Sequence, residues 1–449
     1  MATNVLLILC DQMRADALQH APSLRALTDR GATFTNCYCA APLCQPARAS
    51  IATGRFPTEH GVCGNMNDPV PETMREDTYM SRLQEAGYRT ALIGKHHFID
   101  RFNAGMDVTE DDDEVAGFGF DDVWQVVDIY ESFHNEDRLT AWLRERGRLE
   151  RWRELAQSQG QQFYQRLKPG ETVDGFIGEC ALEYIRGHEE DGPFYLNVGF
   201  VGPHPPYWAP AEYADRFDPE EMPAPKGVTD PDEIPRVKQR RALYAASVAL
   251  IDDYVGRLVE ALEESGILDD TLIVFTADHG DMLGDFGIMD KRWFHEESAR
   301  VPLVMAGPGV APDPRLGGIT CRNLTSSADL YPTFLQAAGL DWRDDSREGL
   351  SLLEAAADRG PRRERVFSEL GTAMMVRDAS HKLVYDAEQG GVVQLFDLRR
   401  DPEELTNLAG VPGYEPVEQR LTEALLTRLI GLTHHTHEKE RNRVQRVRV

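Results

Sequence analysis

Short runs of consecutive apolar residues, each ending abruptly in polar residues, recur along the chain. Asn4–Cys10 (NVLLILC) is apolar almost throughout, the pattern of a strand buried on both faces, and it stops at Asp11-Gln12. The same pattern predicts strands over Arg89–Gly94, ending in Lys95-His96-His97, and over Phe194–Phe200, ending in Gly202-Pro203-His204. A fourth, Thr271–Thr276, ends in Asp278-His279. Between them, the spacing predicts helices over Pro22–Arg30 and Thr78–Ala86. The clearest is Gln239–Ser265, where Leu243, Leu250, Ile251, Tyr254, Val255, Leu258 and Leu262 recur on one face. Gly31 reads as the residue just past the first helix, followed by a strand over Thr33–Cys39. Alternating strands and helices predict an α/β fold, a large mixed but mostly parallel sheet sandwiched by helices. Such sheets bind ligands past the carboxyl ends of their strands, where these polar residues fall.

Two regions depart from this pattern. Residues 100–190 carry an acidic run (Asp107–Glu114) and a Trp- and Arg-rich helical stretch (Trp142–Leu155), expected as an insertion that either covers a site or forms a solvated surface. After Gly349, Val366–Leu370, Met374–Arg377, Lys382–Tyr385 and Val393–Phe396 predict a small antiparallel sheet, with a packing helix over Tyr414–Leu432. The expected organisation is a large domain over 1–355 with a variable insertion at about 100–190, then an α+β subdomain over 356–449. The tail His434–Val449 holds five Lys/Arg and three His; a contact between copies in a homo-oligomer or a disordered end both fit, and a disordered end is the expectation.

Composition narrows the functional classes. With 75 acidic against 48 basic residues and a formal charge of −27, the chain lacks the positive footprint of a nucleic-acid or anionic-membrane binder. No apolar run reaches the length of a membrane span. Met1–Leu9 lacks the basic region and cleavage site of an export signal, and seven cysteines without one read as reduced thiols, so a cytoplasmic location is expected. If the ligand is an anion, positive charge must be concentrated in one cleft.

The segment Cys44-Gln45-Pro46-Ala47-Arg48 carries the strongest chemical signal. Pro46 suits a first helical turn, placing Cys44 at a helix N-terminus, where backbone N–H groups and the dipole favour negative charge. Arg48 falls one turn on and on the same side, so Cys44 is a candidate nucleophile with a lowered pKa.

The string Cys44-x-Pro46-x-Arg48, continuing to Thr53-Gly54-Arg55, resembles the motif of the formylglycine-dependent sulfatases of the alkaline phosphatase superfamily. Asn4–Asp16, Gly87–Phe98, Phe194–Trp208, Thr271–Pro302 and Leu395–Leu408 (LFDLRRDPEELTNL) look like sulfatase segments in the same order, so the likeness spans nearly the whole chain and fails mainly over residues 100–190. The resemblance implies that a formylglycine-generating enzyme oxidises Cys44 to an aldehyde (3-oxoalanine), which attacks sulfur as its hydrate. It further implies a divalent metal, Ca²⁺, Mn²⁺ or Mg²⁺, held by Asp11, Gln12, Asp278, His279 and an oxygen of modified Cys44. Arg48, Lys95, His97, His204 and Lys291 would then surround the sulfate group of a small anionic ester, and Asn65 would contact the substrate. In this scheme His204 protonates the leaving alcohol and His97 takes the proton that releases sulfate. Gln12 and His279 stand where many sulfatases have Asp and Asn, a departure shared with the phosphonate monoester hydrolases. Phosphonate monoester or phosphodiester cleavage is therefore the alternative activity, and an inactive anion-binding relative a further one. Gly94-Lys95-x-His97-Phe98 also resembles choline sulfatases.

Overall fold

The computed structural model describes residues 3–65, 70–99, 105–188, 192–310, 318–344 and 346–446, with side chains to residue 432. Its strands are β1 (Asn4–Asp11), β2 (Gly31–Phe34), β3 (Cys37–Tyr38), β4 (Arg89–Gly94), β5 (Asp122–Gln125), β6 (Phe194–Pro203), β7 (Thr271–Ala277), β8 (Leu303–Ala306), β9 (Ile319–Cys321) and β10 (Thr325–Ser326). Eight of them form one sheet in the order β5-β4-β6-β1-β7-β8-β2-β9. Only β8 runs antiparallel to its neighbours. The continuous apolar run of β1 is explained by its place: it lies between β6 and β7, and all eight of its residues are buried. Burying a side chain such as Leu6, Leu7 or Ile8 contributes about 1.5–3 kcal/mol each.

The four strands that end in polar residues, β4, β6, β1 and β7, are adjacent in the sheet and parallel. Their carboxyl ends therefore form one continuous edge. The helices Val173–Arg186 and Glu233–Glu264 pack against each other and against β6.

A second sheet of four antiparallel strands follows: β11 (Val366–Leu370), β12 (Ala373–Arg377), β13 (His381–Asp386) and β14 (Gly391–Asp397), in sequence order. The helix Glu415–Arg446 covers it, seating Leu421 and Leu425 on Val376, Leu383 and Leu395.

Several expectations are corrected. The expected strand Thr33–Cys39 is two strands, β2 and β3, separated by a turn at residues 35–36, and β3 leaves the main sheet to pair with β10. Gly31 is no helix cap. It opens β2, where a Cβ would meet Met305 O at 1.9 Å, and the preceding helix ends at Thr28. Residues 100–190 are more than a surface insertion: β5 is the sheet's edge strand, and most of the Val173–Arg186 helix is buried. The tail is helical through Arg446 where disorder was expected, continuing the packing helix without a break; residues 447–449 lie outside the described set.

One histidine outside the strand ends fixes the Cys44 helix. His60 is buried; its Nδ1 accepts from Val62 N (3.1 Å), so Nε2–H donates to Ser50 Oγ (3.0 Å) on the helix Cys44–Thr53. Burial holds its pKa down at about 3, against the ordinary 6.5. A depressed folded pKa means that the stability is present in full above pH 6.5 and is lost as pH falls towards 3, by up to about 1.4 kcal/mol per pH unit. In urea melts, the stability difference between wild type and His60→Gln is expected to shrink from pH 7 to pH 4. A difference that stays constant would contradict this.

Candidate active site

The Cys44–Thr53 helix starts at Cys44, as the position of Pro46 requires, and is buried throughout. It points its N-terminus at the edge formed by β4, β6, β1 and β7. Asp11 ends β1, Lys95 follows β4, His204 follows β6, and Asp278-His279 follow β7. The ladder continues one step past β7, Asp278 N donating to Cys10 O (3.1 Å).

Asp11, Cys44, Asp278 and His279 converge there, their donor atoms all within 4.8 Å of one another. Cys44 Sγ lies 3.2 Å from His279 Nε2 and 3.8 Å from Asp11 Oδ1; His279 Nε2 lies 3.6 Å from Asp278 Oδ1. Both carboxylates are fully buried, and Arg48 bridges them: Nε to Asp278 Oδ2 (2.8 Å) and a terminal nitrogen to Asp11 Oδ2 (3.3 Å). The other terminal nitrogen donates to Lys95 O (2.9 Å), so all three guanidinium nitrogens are engaged. Lys95 Nζ reaches Asp11 Oδ2 (2.9 Å), and Lys291 Nζ donates to Gln12 Oε1 (3.0 Å).

These charges set one another's protonation. Burial and Asp11 push the Cys44 thiol up, but Lys291 and His279 outweigh them and hold it well below the usual thiol range. Burial disfavours a charged His279, yet Asp278 and Cys44 raise it to about 9. The two shifts run in opposite directions, each group favouring the charged form of the other. Burial raises the Asp11 carboxyl, and Lys95, His204 and Arg48 together bring it well below its ordinary value. Burial, then Lys291, lowers the pKa of His204.

The remaining expected residues fall as follows. Gln12 has φ 66°; its backbone N–H donates to Asp278 Oδ1 (3.0 Å), and its Nε2 to Asp281 Oδ2 (2.8 Å) and Asp290 Oδ1 (2.9 Å). Its carboxamide oxygen accepts from Lys291 Nζ and has a second lone pair, the one that the resemblance gives to a metal. Asn65 touches position 44 itself: Oδ1 accepts from Gln45 N (3.0 Å) and Nδ2 approaches Sγ (3.6 Å). His204 Nδ1 donates to Pro205 O (2.7 Å), leaving Nε2 as its second nitrogen. His97, two residues past Lys95, is buried at φ 61°. His96 turns away from the cluster, accepting from Phe98 N and donating to Gln125 Oε1 (2.6 Å). His295, outside the expected set, lies against the C-terminal sheet, 3.2 Å from Glu404.

Three supporting residues escaped the sequence reading. Asp128 Oδ2 stands 3.7 Å from Lys95 Nζ, in the segment after β5. Asp281 accepts from Gln12, from Tyr207 Oη (2.7 Å) and from two backbone N–H groups. Asp174 Oδ1 accepts from Val201 N (2.8 Å) and Gly202 N (2.9 Å), fixing the end of β6. Asp281 was visible in the Asp278-His279-Gly280-Asp281 string, where it also reads as an ordinary turn residue; nothing local marks the other two.

Lys95 is aimed by a close approach of two strands. At Gly94 (φ 106°) a Cβ would sit 2.1 Å from Gly199 O. Gly94→Ala is expected to destabilise by about 1–3 kcal/mol and to move Lys95 off Asp11, lowering activity even in the folded fraction. Denaturation and kinetics on one preparation test this, and wild-type activity per folded molecule would contradict it.

A parallel α/β sheet whose strand ends gather a Cys/Asp/His cluster, ringed by buried cations, defines a hydrolase-like site for an anionic ester. The sulfatase family model matches residues 3–340, and that of the N-sulphoglucosamine sulphohydrolase C-terminal region matches 284–430. The chain is 34% identical to a choline-sulfatase of Rhizobium meliloti over 468 residues, covering 93% of this chain and 84% of the relative. It is 30% identical to an arylsulfatase of Clostridium perfringens over 479 residues, covering 96% and 95%. In structure it is similar to the phosphonate monoester hydrolase of Agrobacterium radiobacter, with a TM-score of 0.79, 25% identity and 96% of each chain covered. The chain belongs to the sulfatase family, the sulfuric ester hydrolases. Among the described residues, no helix is long and apolar enough to cross a membrane.

Proposed function

We propose that this chain cleaves sulfate monoesters at the Asp11–Cys44–Asp278–His279 cluster, with position 44 oxidised to formylglycine and one divalent ion shared by the four residues. The observation that carries the reading is the convergence of those donors around Cys44. Donors on one ion at bond lengths of about 2.1–2.4 Å lie roughly 3–4 Å apart at neighbouring positions, which the separations of 3.2–3.8 Å match. His279 Nδ1 is held on Gly280 O (2.9 Å), which directs Nε2 to the ion in place of its proton. Two carboxylates favour a hard cation, Ca²⁺ or Mg²⁺, and the imidazole shifts the preference towards Mn²⁺. Gln12 is the further donor this reading assigns. Bound there, the ion supplies a Lewis acid beside an ionisable hydroxyl of the hydrated aldehyde.

The chain's own residues do the rest. Arg48 holds Asp11 and Asp278 at fixed spacing, since its nitrogens are spent on them and on Lys95 O. Lys95 and Lys291 neutralise charge on the sulfate oxygens. His204, with Nδ1 tied to Pro205 O, offers Nε2 to the leaving alcohol, and His97 takes a proton at position 44. These cations concentrate positive charge locally within a chain of net charge −27.

A second reading, phosphonate monoester hydrolysis, is favoured by the structural similarity just described and by the Gln12 and His279 pair. Parallel kinetics on an aryl sulfate and an aryl phosphonate monoester decide between them. The sulfate is expected to have the higher kcat/KM by at least about tenfold, about 1.4 kcal/mol of transition-state binding; the reverse order would transfer the proposal to the phosphonate.

A further inference from the structure

The segment Leu395–Leu408 resembles the family's sequence yet supplies no residue to the cluster. It sends one buried carboxylate, Glu404, to the loop that carries Lys291. That loop is strained. Asp290 (φ 71°) and Arg292 (φ 78°), on either side of Lys291, both sit in the left-handed region that side chains other than glycine avoid. Such a conformation persists only where the surroundings hold it.

On one side the holding bonds come from the large sheet's own loops. Met282 N donates to Asp290 O (2.8 Å), Asp290 N to Asp281 Oδ1 (3.1 Å), and Arg292 N to Pro42 O (2.9 Å), two residues before Cys44. On the other side they come from the C-terminal sheet. Lys382 Nζ, on β13, donates to Phe294 O (2.9 Å) and pairs with Glu296 Oε1 (2.7 Å) and Glu404 Oε1 (2.6 Å). Glu404 Oε2 accepts from Glu296 N (2.9 Å) and meets His295 Nδ1 (3.2 Å). Lys382 is fully buried and Glu404 nearly so. A buried ion pair adds little net stability over apolar side chains of the same volume. Its hydrogen bonds to Phe294 O and Glu296 N, by contrast, fix a backbone in place, and that backbone leads directly to Lys291.

We propose that Lys382 and Glu404 are positioning residues for Lys291, and that the C-terminal sheet thereby takes part in sulfate recognition without touching the substrate. The proposal rests on the assignment of Lys291 to the sulfate group. A double-mutant cycle on the natively matured full chain, with an aryl sulfate as substrate, tests it. Lys382→Met/Glu404→Gln, which removes one charge of each sign, is expected to lower kcat/KM about tenfold or more in the wild-type background. In a Lys291→Ala background the same pair of changes is expected to cost less than about twofold, because the group being positioned is gone. Equal losses in both backgrounds would overturn the proposal, as would unchanged activity in a folded Lys382→Met/Glu404→Gln protein. Should that variant fail to fold, Glu404→Leu alone, which removes the bond to Glu296 N while Lys382 keeps Glu296 as its partner, goes through the same cycle under the same criteria. Full activity of Lys291→Ala by itself would instead overturn the assignment of Lys291, and the positioning role with it.

Discussion

Cys44→Ala is expected to reduce kcat on an aryl sulfate by about 10,000-fold or more, with the fold and its thermal stability nearly unchanged. The effect is this large because no neighbour can replace the lost group. Asp11 and Asp278 are bound by Arg48, Asn65 Oδ1 is spent on the helix N-terminus, and His279 is held on Gly280 O. The structural cost is small: the thiol makes only long contacts, at 3.2–3.8 Å, and alanine suits a helix's first position. Kinetics at saturating substrate beside a thermal melt check both halves. Residual activity within a hundredfold of wild type would remove position 44 as nucleophile.

Arg48→Met should have the second-largest effect, and it differs in kind. Arg48 is the cation between two fully buried carboxylates, so its loss removes the charge they share and takes from Asp278 its 2.8 Å partner, while Asp11 keeps Lys95. Breaking a buried pair from one side costs about 3–5 kcal/mol. The account predicts that loss in the metal-free protein, a much smaller one in the metal-loaded protein, and a drop in kcat/KM of about 1,000-fold in the metal-loaded enzyme. The partial rescue is the telling part, because a divalent ion among Asp11, Asp278 and His279 would supply the charge that Arg48 no longer brings. Melts with and without added divalent metal measure it. Equal destabilisation in the two conditions would argue against an ion at this place.

The sequence was most legible where local pattern and global position coincide. β4, with an apolar run bounded by Gly87 and Gly94, matches its expected limits, and β11 does too. The four polar strand ends were readable as a set because a parallel sheet places such ends on one side, and they occupy adjacent strands. Cys44 was readable because Pro46 and Arg48 give its helix a start and a cationic face. Illegible features depend on partners far away in the chain. The bond from Lys291 to Gln12 Oε1 spans 279 positions, and Arg48 Nε is engaged by Asp278, 230 positions on. Asp128 lies in a stretch whose composition resembles a solvated surface; only the pairing of β5 with β4 brings it beside Lys95. The break between β2 and β3 had no local mark, since Thr35-Asn36 continues a plausible strand until β10 draws Cys37–Tyr38 into its own pair.

Metal-edge anomalous diffraction from crystals of the natively matured enzyme tests the shared site most directly. The account predicts one anomalous peak within bonding distance of Asp11, Asp278, His279 and an oxygen at position 44, with no sulfur density there. An intact thiol at position 44, with no ion between the two carboxylates, would contradict it.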